Sequence, residues 1–173
     1  MTLTRGLSFS GKSTLARGLA EELGAQLVGL DAINHERGLH GGEGIPLDEW
    51  AATNRIAHER ASVLLATGAD VVVDDTGSPR FIRDAWRETA KRADVPLRIV
   101  WVQVDPELQR ERVRANRADK RRDDVTDAVL ADHAAQFEPP TADEGPIRID
   151  ARETRDLARV RAVAAAIRGA MGS

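Results

Sequence analysis

Two hydrophobic patterns alternate along the chain, and together they predict its secondary structure. Nearly continuous apolar runs, as at 71–75 and 97–104, are typical of parallel strands that are buried on both faces. Between such runs, apolar residues recur at helical spacing, as in Leu15, Leu19 and Leu23. This alternation predicts an α/β fold, with a parallel sheet that carries helices on both faces.

The boundaries of the elements follow from the turn and cap residues between these runs. Asp105 and Pro106, for example, are an N-cap and a first helical residue in sequence. We predict strands at 3–5, 26–30, 71–75, 97–104 and 147–149, and helices at 12–23, 48–67, 78–93, 106–117, 125–137 and 153–171, with a short helical turn after Asp31. Ligands of such a fold bind at the carboxyl ends of the strands.

Composition narrows the class of protein. The chain has 173 residues, 42% of them hydrophobic and 31% charged, which predicts one soluble domain over 1–173. A net charge of -3 argues against a strongly basic nucleic-acid binder. The absence of cysteine fits a reducing compartment, and no apolar run reaches the length of a membrane span. We therefore expect a cytoplasmic monomer or homodimer with no membrane contact.

The segment from Gly6 to Thr14 fits the phosphate-binding pattern G-x-x-x-x-G-K-[ST] at every fixed position. Its glycines let backbone N–H groups converge on an anion, and a helix that begins here turns its positive end to the same point. Lys12 is expected to reach the β- and γ-phosphates, and the Ser13 hydroxyl to ligate Mg²⁺. The predicted nucleotide contacts come from Gly6, Ser8, Ser10, Gly11, Lys12, Ser13 and Thr14.

Two adjacent carboxylates follow the apolar strand at 71–73. Asp74 is placed as a Walker B acid would be, and is predicted to hold Mg²⁺ beside Ser13. The alternative is an N-cap for the next helix. Asp75 points to the other face of the strand, where it could hold an arginine or touch the phosphate acceptor.

A third carboxylate, Asp31, ends the second predicted strand. At that place it could accept the proton of an acceptor hydroxyl that attacks the γ-phosphate, or it could simply cap a helix. Arg37 follows within two helical turns and is predicted to bind the acceptor or a phosphate, with a solvated surface arginine as the alternative. The glycine-rich segment 35–46 is predicted to be a loop on the acceptor side.

An arginine-rich segment at 110–124 is predicted to form a lid over the phosphates. Phosphoryl transfer needs positive charge on the equatorial oxygens of the transition state, which arginines supply. The alternative is a solvated, ion-paired helix face. We expect at least one of Arg112, Arg114, Arg117, Arg121 or Arg122 to meet a phosphate, with Arg112 at the nucleotide and Arg117 in catalysis.

These residues together resemble the small P-loop kinases of the adenylate-kinase-like group. The chain is most similar to the AAA_33-type branch, which includes zeta toxins, polynucleotide kinases and chloramphenicol phosphotransferases. The resemblance covers residues 3 to about 168. It implies a three-layer fold with a five-stranded parallel sheet in the order 2-3-1-4-5, Mg-nucleotide binding, and Asp31 as the base with Arg37 near it. One departure is Phe9, which places a side chain where the family's loops commonly need none.

The function expected from these features is an ATP- or GTP-dependent kinase that transfers the γ-phosphoryl to a hydroxyl of a small molecule. Two alternatives are a polynucleotide- or tRNA-directed kinase, and a nucleotide-binding switch with slow hydrolysis. The acidic balance and the scarcity of aromatic residues count against the nucleic-acid acceptor. Residues 31–46 should discriminate best between these acceptors, because the acceptor is expected to bind there. A basic lining of that site would favour nucleic acid, and a mixed apolar lining would favour a small molecule.

Overall fold

A computed structural model of the chain describes residues 1–39, 45–120 and 123–169. The strands are β1 (Thr2–Arg5), β2 (Gln26–Gly29), β3 (Val71–Asp74), β4 (Arg98–Gln103) and β5 (Ile147–Asp150). The helices are α1 (Lys12–Leu23), α2 (Leu30–Glu36), α3 (Leu47–Ala66), α4 (Arg80–Arg92), α5 (Pro106–Asp119), α6 (Asp127–Ala135) and α7 (Leu157–Gly169), with 3-10 helices at Ala142–Glu144 and Ala151–Glu153. Within these ranges, no helix combines the length and apolarity that crossing a membrane requires.

The five strands form one parallel sheet in the order β2-β3-β1-β4-β5, which confirms the expected fold class. Register brings the carboxyl ends of three strands together. Asp74 at the end of β3 lies opposite Thr4 of β1 on one side and Gly29 of β2 on the other. Residues that follow β1, β2 and β3 therefore meet at one edge of the sheet, where a ligand of this fold binds.

Each face of the sheet is covered by its own hydrophobic core, because successive strand residues point to opposite faces. Val72 packs with α1 and α7 on one face, whereas Val71 and Val73 pack with α2, α3 and α4 on the other. A third, smaller cluster lies outside both cores and joins Phe9 to Val113 and Val125. The two large cores hold the sheet, and the small one holds α5 and α6 to the loop after β1.

Local capping explains where the observed boundaries differ from the predicted ones. The helix after β2 begins at Leu30 with Gly29 as its N-cap, so Asp31 lies inside its first turn instead of preceding it. The last helix begins at Leu157, later than the predicted start at 153, because the Asp156 carboxylate accepts from the Ala158 amide at 2.9 Å. The predicted ends at 170–171 lie outside the described residues.

A buried ion pair anchors the chain that returns from α6. Arg83 of α4 donates to both carboxylate oxygens of Glu144, at 2.7 and 2.8 Å, and neither side chain is exposed. Arg83 also donates to the carbonyl oxygens of Gly77 and Glu138. The hydrogen bonds from Arg83 are the main reason that the pKa of Glu144 falls to about 2. The return segment is thereby fixed to the core beside β1.

Candidate active site

The phosphate-binding loop after β1 has backbone angles and close contacts that require its two glycines. Gly6 has φ 158°, and a Cβ there would lie 2.7 Å from Ser10 Oγ and 2.9 Å from the carbonyl oxygen of Val102. Gly11 has φ 96°, and a Cβ there would lie 2.7 Å from Thr154 Oγ1. Both positions are therefore closed to any other residue unless the loop moves.

The loop runs without a break into α1, which begins at Lys12. The amides of Thr14 and Leu15 both donate to the carbonyl oxygen of Gly11, at 3.1 Å, so the first turn is already closed at the end of the loop. Ser13 lies in this first turn and is half-buried. The positive end of α1 is thus directed at the loop, as an anion site requires.

Lys12 and Asp74 face each other across the end of the sheet. Lys12 Nζ lies 3.5 Å from Asp74 Oδ1, and the two side chains are 9% and 11% exposed. This Oδ1 atom is buried and accepts no hydrogen bond from the described residues. A buried carboxylate oxygen without a donor is costly, so the position favours a cation.

Asp74 and Ser13 fit the requirements of a Mg²⁺ site that a nucleotide would complete. The carboxylate and the hydroxyl are hard oxygen ligands, which Mg²⁺ prefers. No group of three or more His, Asp or Glu side chains suited to a metal occurs in the described part of the chain. Most ligands would therefore come from phosphate and water, as is usual for Mg²⁺ at nucleotide sites.

Asp75 makes different contacts from its neighbour Asp74. Its Oδ1 accepts from the Gly77 amide at 3.2 Å and its Oδ2 from Trp86 Nε1 at 2.8 Å. The side chain is buried on the face of the sheet that α3 and α4 cover. The hydrogen bonds of Asp75 therefore join the loop after β3 to α4, and no arginine of the described residues donates one to it.

Asp31 lies exposed in the first turn of α2, two residues after Gly29, which is in register with Asp74. The fold thus brings the candidate base to the edge of the sheet that carries the phosphate loop. The helix α2 that carries Asp31 packs against α3. Residues 40–44 of the predicted acceptor loop lie outside the described residues.

Arg37 joins α2 to α3. Its guanidinium donates to the Glu49 carbonyl oxygen at 2.8 Å and to Thr53 Oγ1 at 2.6 Å, and it pairs with the Glu49 carboxylate. Thr53 in turn donates to Asn34 Oδ1 of α2 at 2.5 Å. Arg37 therefore holds the helix that carries Asp31, and its described contacts are within the protein.

Arg112 of α5 holds the phosphate loop from the opposite side. It donates to the carbonyl oxygens of Phe9 at 3.0 Å and Ser10 at 2.7 Å, and to that of Ala151 after β5 at 2.7 Å. Burial is the main reason that the pKa of Arg112 is lowered. The structure thus places Arg112 at the predicted nucleotide end of the site, where it joins two loops.

Arg117 lies further along α5 and is engaged elsewhere. Its guanidinium is 2.9 Å from Asp124 Oδ2 and 2.8 Å from Asp127 Oδ1, and it donates to the Val125 carbonyl oxygen at 3.1 Å. The hydrogen bonds that Arg117 donates to the carboxylates of Asp127 and then Asp124 raise its pKa. These contacts join α5 to α6. Arg114 is exposed on α5, and residues 121–122 lie outside the described residues.

Sequence reasoning missed two residues that shape the site. Gln109 donates to the carbonyl oxygen of Ser8 at 2.8 Å, one helical turn before Arg112. Its spacing of three residues from Arg112 was an available signal, since the two side chains share a face of α5. Thr154 lies against Gly11 and hydrogen-bonds to Ala151, and no local pattern marks it.

The phosphate loop after the central strand, the Asp74 carboxylate at the end of β3 and the strand order define a P-loop NTPase fold of the kinase type. Residues 1–140 match the AAA_33 family, described as an AAA domain, and the chain belongs to this family. Among curated proteins, none matches the chain.

Solved structures share this fold at low sequence identity. A sugar kinase from a Janibacter species is 21% identical with a TM-score of 0.69, covering 94% of this chain and 90% of that one. Kti12 of Chaetomium thermophilum, in complex with ADP-AlF3, is 20% identical with a TM-score of 0.73, covering 98% of each chain. The Mycobacterium tuberculosis APS kinase, in complex with AMPPNP and APS, is 20% identical with a TM-score of 0.62, covering 91% and 96%.

Proposed function

We propose that this protein is a P-loop kinase that transfers the γ-phosphoryl group of ATP or GTP to a hydroxyl of a small molecule. The observation that carries the proposal is the buried contact between Lys12 and Asp74 beside the phosphate loop. It combines a flexible ammonium, a carboxylate oxygen without a hydrogen-bond donor and a helix N-terminus at one point. Structures of similar fold contain ADP-AlF3 and AMPPNP, which supports nucleotide as the ligand.

In the proposed reaction, the oxygen of the acceptor hydroxyl forms a bond to the γ-phosphorus. The bond from that phosphorus to the β–γ bridging oxygen breaks, and the nucleoside diphosphate leaves. Asp31 takes the hydroxyl proton, since it is exposed at the same edge of the sheet. Lys12 stabilises the charge on the transferring group.

Mg²⁺ held by Ser13 and Asp74 would neutralise charge on the phosphate oxygens. The protein side chains position the phosphate loop and the base. Arg112 keeps the Phe9 and Ser10 carbonyl oxygens turned to α5, which fixes the path of the loop. Arg37 keeps α2 against α3, and so sets where Asp31 stands.

Arg117 could act directly on the phosphate only if its ion pairs with Asp124 and Asp127 opened. The proposal does not depend on that step. In the observed arrangement, Arg117 contributes by holding α6 to α5.

Charge on the acceptor side supports a small molecule over a nucleic acid. Arg37, directly after α2, is paired with Glu49, and Arg60 of α3 is paired with Glu36. On the acceptor side, the described parts of α2 and α3 therefore present exposed acids such as Asp31, and these two arginines are neutralised by their ion pairs. A polynucleotide backbone needs a surplus of cations along its path, and among the described residues these two paired arginines do not supply one.

A direct test is a transfer assay with γ-labelled ATP and GTP against nucleosides, oligonucleotides and hydroxylated metabolites or antibiotics. We expect label to pass to a small hydroxylated acceptor. Label on oligonucleotides alone would replace the small-molecule acceptor with nucleic acid. Slow release of phosphate with no labelled acceptor would favour the nucleotide-dependent switch.

Asp31→Asn should lower acceptor transfer about 100-fold or more while leaving the Kd for nucleotide within about twofold, because a general base contributes 10²–10⁴ in rate. Asp70→Asn is the matched control, since Asp70 is exposed before β3 at the opposite edge of the sheet. Equal losses of transfer and nucleotide affinity in Asp31→Asn would instead assign Asp31 a structural role.

A further inference from the structure

Phe9 stands inside the phosphate loop in a backbone conformation that favours glycine. Its φ is 64°, in the left-handed region, between Ser8 and Ser10. A residue with a Cβ is disfavoured there, so the surroundings of Phe9 must compensate. Phe9 is only 8% exposed, so its ring packs against neighbours that can supply this compensation.

The described hydrophobic partners of Phe9 lie on the segment that contains α5 and α6. We call them the Phe9 cluster: Phe9 with buried Val113 and Val125, and with partly buried Val129 and Leu130. The cluster shares no residue with the two cores that hold the sheet. Packing of the ring in this position therefore depends directly on the docking of α5 and α6.

Polar contacts tie the same part of the loop to α5. Gln109 donates to the Ser8 carbonyl oxygen, and Arg112 donates to those of Phe9 and Ser10. Three consecutive peptide groups of the loop are thus bonded to one helix. The loop conformation is determined jointly by its own sequence and by the position of α5.

We propose that Phe9 is a positioning residue that makes the nucleotide-binding shape of the phosphate loop conditional on the docking of α5 and α6. With its ring seated in the Phe9 cluster, residue 9 keeps its left-handed conformation. With the ring released, the backbone relaxes toward negative φ, and the N–H groups after it no longer converge on phosphate. This role rests on the proposed function, because it concerns the same loop.

The proposal predicts an unusual order among substitutions at this position. Phe9→Ala keeps the conformational penalty and loses the ring, so the Kd for Mg-AMPPNP should rise about tenfold. Phe9→Gly loses both the ring and the penalty, so its Kd should stay within about threefold of the native value. Phe9→Leu retains an apolar side chain in the Phe9 cluster and should bind more tightly than Phe9→Ala.

A double-mutant cycle with Val125 separates positioning from general packing. Val125→Ala should weaken Mg-AMPPNP binding about fivefold in the native background, and by less than about 1.5-fold in the Phe9→Gly background. Val71→Ala is the matched control: Val71 is also buried, at the amino end of β3 and away from the loop, and its substitution should leave the Kd unchanged.

The measurement is calorimetric titration of Mg-AMPPNP, with thermal melts to confirm folding and amide hydrogen exchange at 10–12 as a readout independent of ligand. Faster exchange of the amides at 10–12 in Val125→Ala than in the double variant Phe9→Gly/Val125→Ala supports the proposal. Equal Kd values for Phe9→Ala and Phe9→Gly, or additive effects in the cycle, overturn it and leave the kinase proposal standing. A native chain that binds no nucleotide overturns both.

Discussion

Lys12 Nζ lies 3.5 Å from Asp74 Oδ1, and about nine tenths of each side chain is buried. The pair joins the start of α1 to the end of β3, two elements that are far apart in sequence and adjacent at the edge of the sheet. At that distance the ammonium and the carboxylate neutralise each other without a close hydrogen bond to Oδ1. The Asp74 carboxylate therefore keeps bonding capacity for Mg²⁺.

Replacement of Lys12 tests the phosphate loop. Lys12→Ala should lower the rate of nucleotide turnover about 10³-fold and raise the Kd for Mg-ATP about tenfold or more, because a charge-assisted contact to phosphate is lost. Lys12→Arg is the matched control, because it keeps the charge but not the compact ammonium. Compared with Lys12→Ala, it should restore the affinity for Mg-ATP more than the turnover rate. Turnover at the native rate in Lys12→Ala would contradict the assignment of the loop.

The two neighbouring aspartates should respond differently to removal of their charge. Asp74→Asn should raise the Mg²⁺ concentration needed for half-maximal turnover about tenfold, while ADP binding without metal stays nearly unchanged. Asp75→Asn should leave the Mg²⁺ requirement unchanged and lower the free energy of unfolding by about 1–3 kcal/mol, because its hydrogen bonds to Gly77 and Trp86 are disturbed. Mg²⁺ titration and urea unfolding measure the two effects. An equal rise of the Mg²⁺ requirement in both variants would count against Asp74 as the specific Mg²⁺ ligand.

The contact between Arg37 and α3 should affect the rate of phosphoryl transfer to the acceptor and leave the affinity for nucleotide unchanged. Arg37→Lys cannot reproduce bonds to the Glu49 carbonyl oxygen and Thr53 together, so we expect kcat/KM for the acceptor to fall about tenfold. Arg60→Lys is the control, since the Arg60–Glu36 pair also joins α2 to α3 but is about half exposed and worth little. Equal effects in the two variants would show that Arg37 is no more than a surface cation.

The Arg83–Glu144 pair predicts how stability depends on pH. The pKa of the Glu144 carboxyl in the folded protein is lowered to about 2 from its ordinary 4.5, so the folded state binds this proton less readily than the unfolded chain. The stabilisation is therefore complete above about pH 4.5 and is lost as pH falls from there toward 2, for a total of up to about 3 kcal/mol. Urea unfolding between pH 2 and 7 measures it.

Glu144→Gln should flatten that part of the pH profile and destabilise the protein at neutral pH, since Arg83 is left buried without its counter-charge. Glu153→Gln, at a partly exposed ion pair with Arg159, is the matched control and should retain the native slope. An unchanged slope in Glu144→Gln would mean that other carboxylates cause the acid sensitivity.

The hydrophobic pattern and a few short motifs were enough to predict the architecture. Apolar runs of strand length separated by amphipathic stretches led to a parallel sheet, and the observed strand order is the one that the resemblance to small P-loop kinases implied. The phosphate loop could be located because glycines and a lysine at fixed spacing are a local requirement. Strand ends were predictable too, so the residues that follow them could be assigned to one edge before their contacts were known.

The partners of long or buried side chains could not be predicted in this way. Spacing placed Arg37 near Asp31 and Arg117 on the lid segment, but it did not show that Glu49, or Asp124 with Asp127, would engage them. An arginine side chain can reach several neighbours, and the choice depends on which helices pack together. The expected roles of these two arginines in acceptor binding and catalysis stay predictions.

The amino-acid sequence by itself determined the fold class, the place of the phosphate loop and the edge of the sheet that carries the carboxylates, because each depends on residues close together along the chain. Only the tertiary structure decided that Asp75 bonds to Trp86 while Asp74 faces Lys12, and that the ring of Phe9 is seated against α5 and α6. Those contacts join segments distant in sequence. They depend on packing, which no local pattern encodes.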